Sequence, residues 1–316
     1  MTPSPLHLRL PATSANLGPG FDALGLAMSL YLTIDAAVDE DFHIDATGRD
    51  AALCADTERN LILTTYIDVL AQAGILAPAL HLRVHNEIPL GMGCGSSAAA
   101  LLAGVFLANH FGALAWSRQQ ILEEACRREG HPDNVAACLL GGMTVSSMDE
   151  GSCLTATYSN LHDWRLLLAL PAESLSTRTA RAMLPEKYSR ADAVRNIQAT
   201  ALLVSAFALN RGDLLHRAMQ DRIHQPYRLK ACPLLERLLP LSGSNGILGV
   251  ALSGAGPSVL LITDRYCSTN AVVAAVRQAA GSANLEVIEA SVTTGVISWA
   301  IDTQKKHAES QECGPK

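Results

Sequence analysis

Residues 86–111 read NEIPLGMGCGSSAAALLAGVFLANHF: a turn with three glycines at alternate positions, two serines, and then an almost unbroken apolar run. Gly91, Gly93 and Gly95 permit φ > 0 and a close backbone approach to a ligand, and the serines open a helix whose first N–H groups lack intrahelical partners. Such a junction suits phosphate. It lacks the Gly-Lys-Ser/Thr ending of a P-loop, so no lysine in the loop balances phosphate charge. Compensation then falls to the helix dipole and to Mg²⁺, which takes carboxylates, hydroxyls and phosphate oxygens. Ser96 or Ser97 with a distant carboxylate is the natural ligand set. The same pattern also fits a tight turn in which Ser96 caps an ordinary helix.

On either side of this loop the chain alternates strands and helices. Strand periodicity marks HLRL (7–10), SLYLTIDAAV (29–38) and LHLRVH (80–85), while 60–74 has helical spacing and a glycine stop. Helices are predicted over 97–111 and 117–130, then a short helix NVAACLLGG and a strand MTVSS. After a loop at 149–163, WRLLLALP restarts as a buried strand, followed by helices near 177–184, 190–210 and 212–220. Strands ILGVAL, SVLLIT and LEVIEAS close the pattern, with TNAVVAAVRQAA as a helix between the last two. This order predicts an α+β fold, with lobes at 1–162 and 163–301 and a polar, aperiodic tail at 302–316.

Composition narrows the function classes. The 316 residues suffice for two domains or one large one, and the net charge of −6 is spread along the chain without a basic run. Nucleic acid and anionic membrane surfaces are therefore not expected as partners. The apolar run 98–108 is too short to span a bilayer, and the first fourteen residues lack the layout of a signal peptide. Eight cysteines, never as CxxC, read as scattered small hydrophobes and favour a reducing cytoplasm.

Three further polar turns interrupt this apolar chain. PATSANLGPGFDALG (11–25) follows the first strand, EGHPDNVAACLLGG (129–142) sets His131, Asp133 and Asn134 before a helix, and LSGAGPSVLLI (252–262) is a second glycine loop. Singly, each fits helix capping or a hairpin; together with the loop at 86–97 they ask for a common ligand.

In these motifs the chain resembles the GHMP small-molecule kinases. The carriers are PATSANLGPGFDALG, PLGMGCGSSAA (89–99) and LSGAGPS (252–258); GHPDNVAACLLGG and DRIHQPYR (221–228) are similar to the homoserine-phosphorylating branch. Only the tail beyond about residue 300 lies outside the resemblance. Met92 and Cys94 depart mildly from the family's loop, at side chains that need not touch phosphate. The resemblance implies two lobes, the first of the ribosomal protein S5 domain 2 type and the second ferredoxin-like. It implies ATP with Mg²⁺, L-homoserine as acceptor, a step in threonine biosynthesis, and a homodimer.

Roles follow from the same resemblance. Pro89, Leu90, Gly91, Met92, Gly93, Cys94, Gly95, Ser96, Ser97, Ala98 and Ala99 wrap the phosphates, Asn60 lies near the adenine and ribose, and Ser97 with Glu123 holds Mg²⁺. By spacing alone Glu124 and Glu129 rival Glu123, and Asn60 equally fits an N-cap. Homoserine carries a carboxylate, an ammonium and a hydroxyl; Arg suits the first and Asp the second. The resemblance places Arg181, with Thr177 one turn earlier, and Arg222 on the carboxylate, Asp22 on the ammonium, and Asn16, His131 and Asp133 around amine and hydroxyl. Relatives such as mevalonate kinase use an Asp as base where Asn134 stands here, so the proton is expected to pass directly to the γ-phosphate in a loose phosphoryl transfer. Another GHMP kinase acting on a small alcohol and a non-catalytic sensor are the rival readings. A serine hydrolase and a zincin lack their motifs, GxSxG and HExxH.

Overall fold

The computed structural model describes residues 3–158 and 164–301; the predicted lobe boundary at 162 and the tail at 302–316 lie outside the described residues. In chain order, β1 (Leu6–Ala15), β2 (Leu24–Val38) and β3 (His43–Gly48) lead to helices α1 (Ala51–Cys54) and α2 (Leu61–Gln72), then to β4 (Leu80–Asn86). Helices α3 (Ser96–Phe111), α4 (Arg118–Glu129) and α5 (Asp133–Leu140) follow, and a hairpin of β5 (Met143–Asp149) and β6 (Ser152–Tyr158) completes the first half. The second half runs β7 (Arg165–Leu170), α6 (Thr177–Ala182), α7 (Arg190–Ala208), α8 (Leu215–Ala218), α9 (Gln225–Arg228) and α10 (Pro233–Leu238). It continues with β8 (Ile247–Leu252), β9 (Val259–Thr263), α11 (Thr269–Ala280), β10 (Glu286–Ser291) and β11 (Ile297–Ala300).

Two sheets organise the lobes. The first has seven strands, in the order β11-β1-β2-β4-β3 with β5 beside β2 and β6 beside β5; the second has four, β10-β7-β9-β8. The second sheet is antiparallel throughout, and in the first only β3–β4 is parallel. The α+β expectation is thus met. β11, which by position belonged to the second lobe, instead completes the first sheet beside β1. Three strands escaped the sequence reading. β3 carries mixed polar residues and β11 is only four residues long, both at exposed edges, and β6 falls in the stretch where a loop is predicted.

The first strand explains how the lobes meet. In β1, Leu6, Leu8 and Leu10 face the core, as period two requires, while His7 and Arg9 face away. The pairing with β2 slips between Pro11 and Ala12, where proline has no N–H for the ladder. Beyond the slip, Ala12 to Ala15 are buried on both faces, because the strand now runs between the lobes. Helix α3 packs against it, buried almost all round, with α2, α4 and α5 covering its other faces.

The turn after β1 is clamped by the second lobe. Asn196 Nδ2 and Thr200 Oγ1 of α7 both donate to the Pro19 carbonyl, at 2.7 and 2.9 Å. Gly18 has φ 89°, and a Cβ there would stand 2.3 Å from the Met219 carbonyl oxygen. Gly18→Ala should therefore cost about 3 kcal/mol or more in urea denaturation, because backbone meets backbone. Gly74→Ala, also at positive φ but facing open space, should cost only about 1 kcal/mol. Equal losses would show that the Gly18 approach does not limit the fold.

Candidate functional site

Gly91, Gly93 and Gly95 all hold left-handed φ, between 69° and 75°. The N-cap of α3 is Gly95 rather than Ser96, and it offers no side chain to the helix end. The N–H groups of Ser96, Ser97 and Ala98 thus lack both intrahelical and cap partners. The loop's carbonyls point the other way, into the scaffold. Cys94 O accepts from Thr13 N at 3.0 Å, Met92 O from Ser258 N at 3.4 Å, and Gly93 O from Ser253 Oγ at 2.7 Å. A Cβ at Gly95 would lie 1.9 Å from Thr13 Oγ1. With the carbonyls tied down behind it, the loop presents donors and the positive end of α3 to whatever lies in front, a cradle for an anion.

In front of it is a cavity of about 210 Å³. The loop from Gly91 to Ala98 forms one wall, and the other walls carry Asp22, Glu129, His131, Asp133, Arg181 and Arg228. Ser96 and Ser97 are shared with a second, more apolar cavity of about 260 Å³ lined by Leu53, Asn60, Ile62, Ile88 and Leu90. Asn60 is the N-cap of α2, its Oδ1 accepting from Ile62 N and Leu63 N, and it also lines this apolar cavity. A polar and an apolar chamber thus meet at the phosphate-type loop.

At the polar end, Arg181 makes a two-pronged ion pair with Asp22, Nη1 to Oδ2 at 3.0 Å and Nη2 to Oδ1 at 2.5 Å. Thr177, one turn earlier in α6, lines the same cavity. Behind them lies Arg228, only 1% exposed. Its Nε donates to Ala180 O at 3.2 Å and its Nη1 to His224 Nδ1 at 2.9 Å. Among the described residues it has no carboxylate within ion-pair distance. Burial, and then the nearby Arg181 charge, press its pKa down, yet a guanidinium stays protonated.

On the opposite side, His131 Nδ1 lies 2.6 Å from Asp133 Oδ1, and Asp133 is 2% exposed. Burial of His131 opposes its charge, but the hydrogen bond and charge of Asp133 outweigh that and raise its pKa above the ordinary value. Asn134 is fixed by Thr13 Oγ1, which donates to its Oδ1 at 2.7 Å. Glu129 closes this wall without an ion-pair partner among the described residues; burial raises its pKa, and the neighbouring His131 opposes the rise.

Most of the predicted residues converge here, with three adjustments. Arg222 is exposed and lines a different depression with His216 and Gln225, whereas Arg228 of the same motif lines the polar cavity. The Asp221 carboxylate accepts the N–H groups of Ile223, His224 and Gln225, which leaves Arg222 outside that turn. Gln225 and Arg228, three apart in α9, both point inward. Of the three glutamates in α4, Glu129 lines this cavity. Glu123 accepts from Gln119 of its own helix at 2.8 Å and does not line the cavity, and Glu124 is bound by Arg127 and Arg128. The buried face of α4 is Ile121, Leu122, Ala125 and Cys126; helical spacing continues it to 129, the signal that singles out Glu129. Asn16 lines the cavity, but its side chain is also a brace: Nδ2 donates to Gly254 O at 2.9 Å and Oδ1 accepts from Asp22 N at 3.0 Å.

Comparison with known proteins gives this geometry a family context. The model for the GHMP kinases N terminal domain matches residues 60–142 and that for the GHMP kinases C terminal domain residues 203–283. The chain is 47% identical to the homoserine kinase of Solibacter usitatus over 260 residues, 82% of this chain and 85% of that one. To the homoserine kinase of Desulfitobacterium hafniense it is 41% identical, over 83% and 88% of the two chains. The crystal structure of the homoserine kinase from Cytophaga hutchinsonii superposes with a TM-score of 0.75 at 25% identity, over 94% of this chain and 98% of that one.

The His131–Asp133 pair has a measurable signature. In an NMR titration the His131 ring should titrate above the ordinary value of about 6.5, and Asp133→Asn should move it down, because the hydrogen bond and charge that oppose burial are then lost. A raised folded pKa means that the pair's contribution to stability is whole below the unfolded value and is lost as pH rises through the folded one. An unshifted His131 titration in Asp133→Asn would contradict this account.

Proposed function

The chain belongs to the GHMP kinase family, among its homoserine kinases, and on that premise we propose how its residues transfer the γ-phosphoryl group of ATP to the side-chain hydroxyl of L-homoserine, giving O-phospho-L-homoserine. The observation that carries the assignment is Arg228, a buried cation with no anionic partner among the described residues, on the wall of a small cavity facing an anion-binding loop. An amino acid supplies what the site lacks. Its carboxylate takes Arg228 and Arg181, and its ammonium takes the Asp22 carboxylate that Arg181 gives up. A zwitterion makes this exchange without leaving either charge unpaired, whereas an uncharged sugar alcohol strands both.

The phosphates lie against the loop from Pro89 to Ala99, with the nucleoside in the apolar chamber beside Asn60. Glu129, a carboxylate without a cation partner among the described residues, and Ser97 at the junction of the two chambers fit Mg²⁺ by donor type. When bound, the ion neutralises charge on the phosphate oxygens. The hydroxyl is aimed by His131, Asp133 and Asn134 rather than deprotonated by a strong base. The Asp133 oxygen nearest the ring is engaged by His131 and by the Asn134 N–H, at 2.6 and 2.7 Å. The hydroxyl proton then leaves to a γ-phosphate oxygen as transfer proceeds, consistent with a loose transition state.

A role in threonine biosynthesis, a homodimer and a cytoplasmic location complete this reading. The seven cysteines among the described residues are all free, in agreement with a reducing compartment, and no helix among the described residues is long and apolar enough to cross a membrane.

With ATP and Mg²⁺, ADP release should be fastest with homoserine in a panel that includes threonine, serine, mevalonate and galactose. Saturable binding without turnover would favour a sensor. Arg228→Ala should raise the KM for homoserine roughly 10- to 100-fold, as expected for a lost charged hydrogen bond, while Arg222→Ala leaves it near the parent value; the reverse ranking would return the carboxylate to Arg222. Glu129→Gln should lower kcat and weaken the Mg²⁺ dependence, whereas Glu123→Gln should do neither.

A further inference from the structure

A buried histidine lies between the substrate arginine and the turn that follows β1. His224 immediately precedes α9 and is 0% exposed. Both of its ring nitrogens are engaged, and the partners settle its protonation state. Arg228 Nη1 stands 2.9 Å from Nδ1; a guanidinium only donates, so Nδ1 presents its lone pair. The ring proton is then on Nε2, which donates to the Gly18 carbonyl at 2.7 Å. The Phe21 ring lies 5.4 Å from the imidazole centroid and 5.7 Å from the Arg228 guanidinium, closing the group against the same turn. With Nε held by Ala180 O and Nη1 by His224, the rest of the Arg228 guanidinium is left to the cavity.

We propose that His224 is a positioning residue: in its neutral, Nε2-protonated form it holds Arg228 in register with the acceptor cavity and ties that register to the turn at 16–22 of the first lobe. The inference rests on the reading of Arg228 as the carboxylate anchor. It goes beyond that reading in naming the group that aims the guanidinium and the condition under which the aim fails. Protonation of Nδ1 would turn a donor toward a donor and set two cations together out of water. The charged groups facing the ring are Asp221, whose Oδ2 is 3.6 Å from Nε2, Asp22 in the turn, and Arg228 itself. Burial is the strongest influence and holds the His224 pKa below its ordinary value; the two carboxylates pull upward and Arg228 adds to the lowering. The neutral form is thus the native one. Its contribution is complete above the ordinary histidine pKa and is lost as pH falls through the lowered value.

The test uses the intact enzyme, with KM for each substrate, kcat and thermal melting measured for the parent, His224→Gln, His224→Asn and Arg228→Ala between acid and neutral pH. Gln keeps a donor for Gly18 O but has no acceptor where Nδ1 stands; Asn keeps an acceptor for Arg228 and loses the reach to Gly18. His224→Gln should raise the KM for homoserine about tenfold, with the KM for ATP unchanged, and His224→Asn should recover most of that loss. In the parent, the homoserine KM should climb on the acid side while the ATP KM does not, and this climb should vanish in His224→Asn. Titration of Glu129 would instead move the nucleotide side.

A flat acid limb for the homoserine KM in the parent overturns the proposal without any variant. So do equal KM values in the two His224 variants when Arg228→Ala still raises KM, an outcome that assigns His224 to packing. If Arg228→Ala leaves the homoserine KM unaltered, the carboxylate assignment itself fails, and the proposal with it.

Discussion

Everything in this molecule depends on how closely three backbone turns approach one another. The turn after β1, the loop before α3 and the loop between β8 and β9 are joined main chain to main chain: Thr13 N to Cys94 O, Gly254 N to Ala15 O, and Ser258 N to Met92 O. The glycines make this possible, since a side chain at Gly95 would occupy the space of Thr13. The closure has a chemical consequence. Carbonyls that would repel phosphate are consumed inside the junction, and N–H groups are what remains at the surface. The scaffold and the anion site are thus one set of hydrogen bonds seen from two sides.

The charges around the cavity follow a second constraint, that a buried ion requires compensation. Asp22 and Arg181 satisfy each other, as do His131 and Asp133. Arg228 and Glu129 have no such partner among the described residues, and they stand on walls that face the loop from different sides. On the proposed reading, a ligand bringing a carboxylate to one and a divalent cation with phosphates to the other completes the electrostatics, and the Asp22–Arg181 pair opens without net loss to a molecule carrying both charges.

Much of this was legible before any coordinates. Helix α3, its glycine loop and the strands of the second sheet come from strong periodicity and from glycine spacing. The site residues within those motifs, Asp22, His131, Asp133 and Ser97, meet as the motifs imply. Sequence and structure part where the local sequence offers equivalent choices. DRIHQPYR contains two arginines, and only the capping of Ile223, His224 and Gln225 by Asp221 turns one outward and the other in. The helix at 118–129 contains three glutamates, and the buried face whose continuation brings Glu129 to the cavity wall is defined by what packs on it. β3 and β11 were missed because edge strands exposed to water need no apolar alternation.

The sequence by itself determined the chemistry on offer: a phosphate loop without lysine, arginines and aspartates suited to a zwitterion, and an interior rich enough in Ala and Leu to bury the strands that carry them. These are properties of residue type and short spacing, and they survive any arrangement of the chain. Tertiary structure alone decided which arginine is buried, which carboxylate is left without a partner, and that Asn16 serves as a brace between two loops. Those outcomes depend on long-range contacts, such as Asn16 to Gly254 across 238 residues. Burial and pairing are properties of what surrounds a side chain, and what surrounds it is set by the fold.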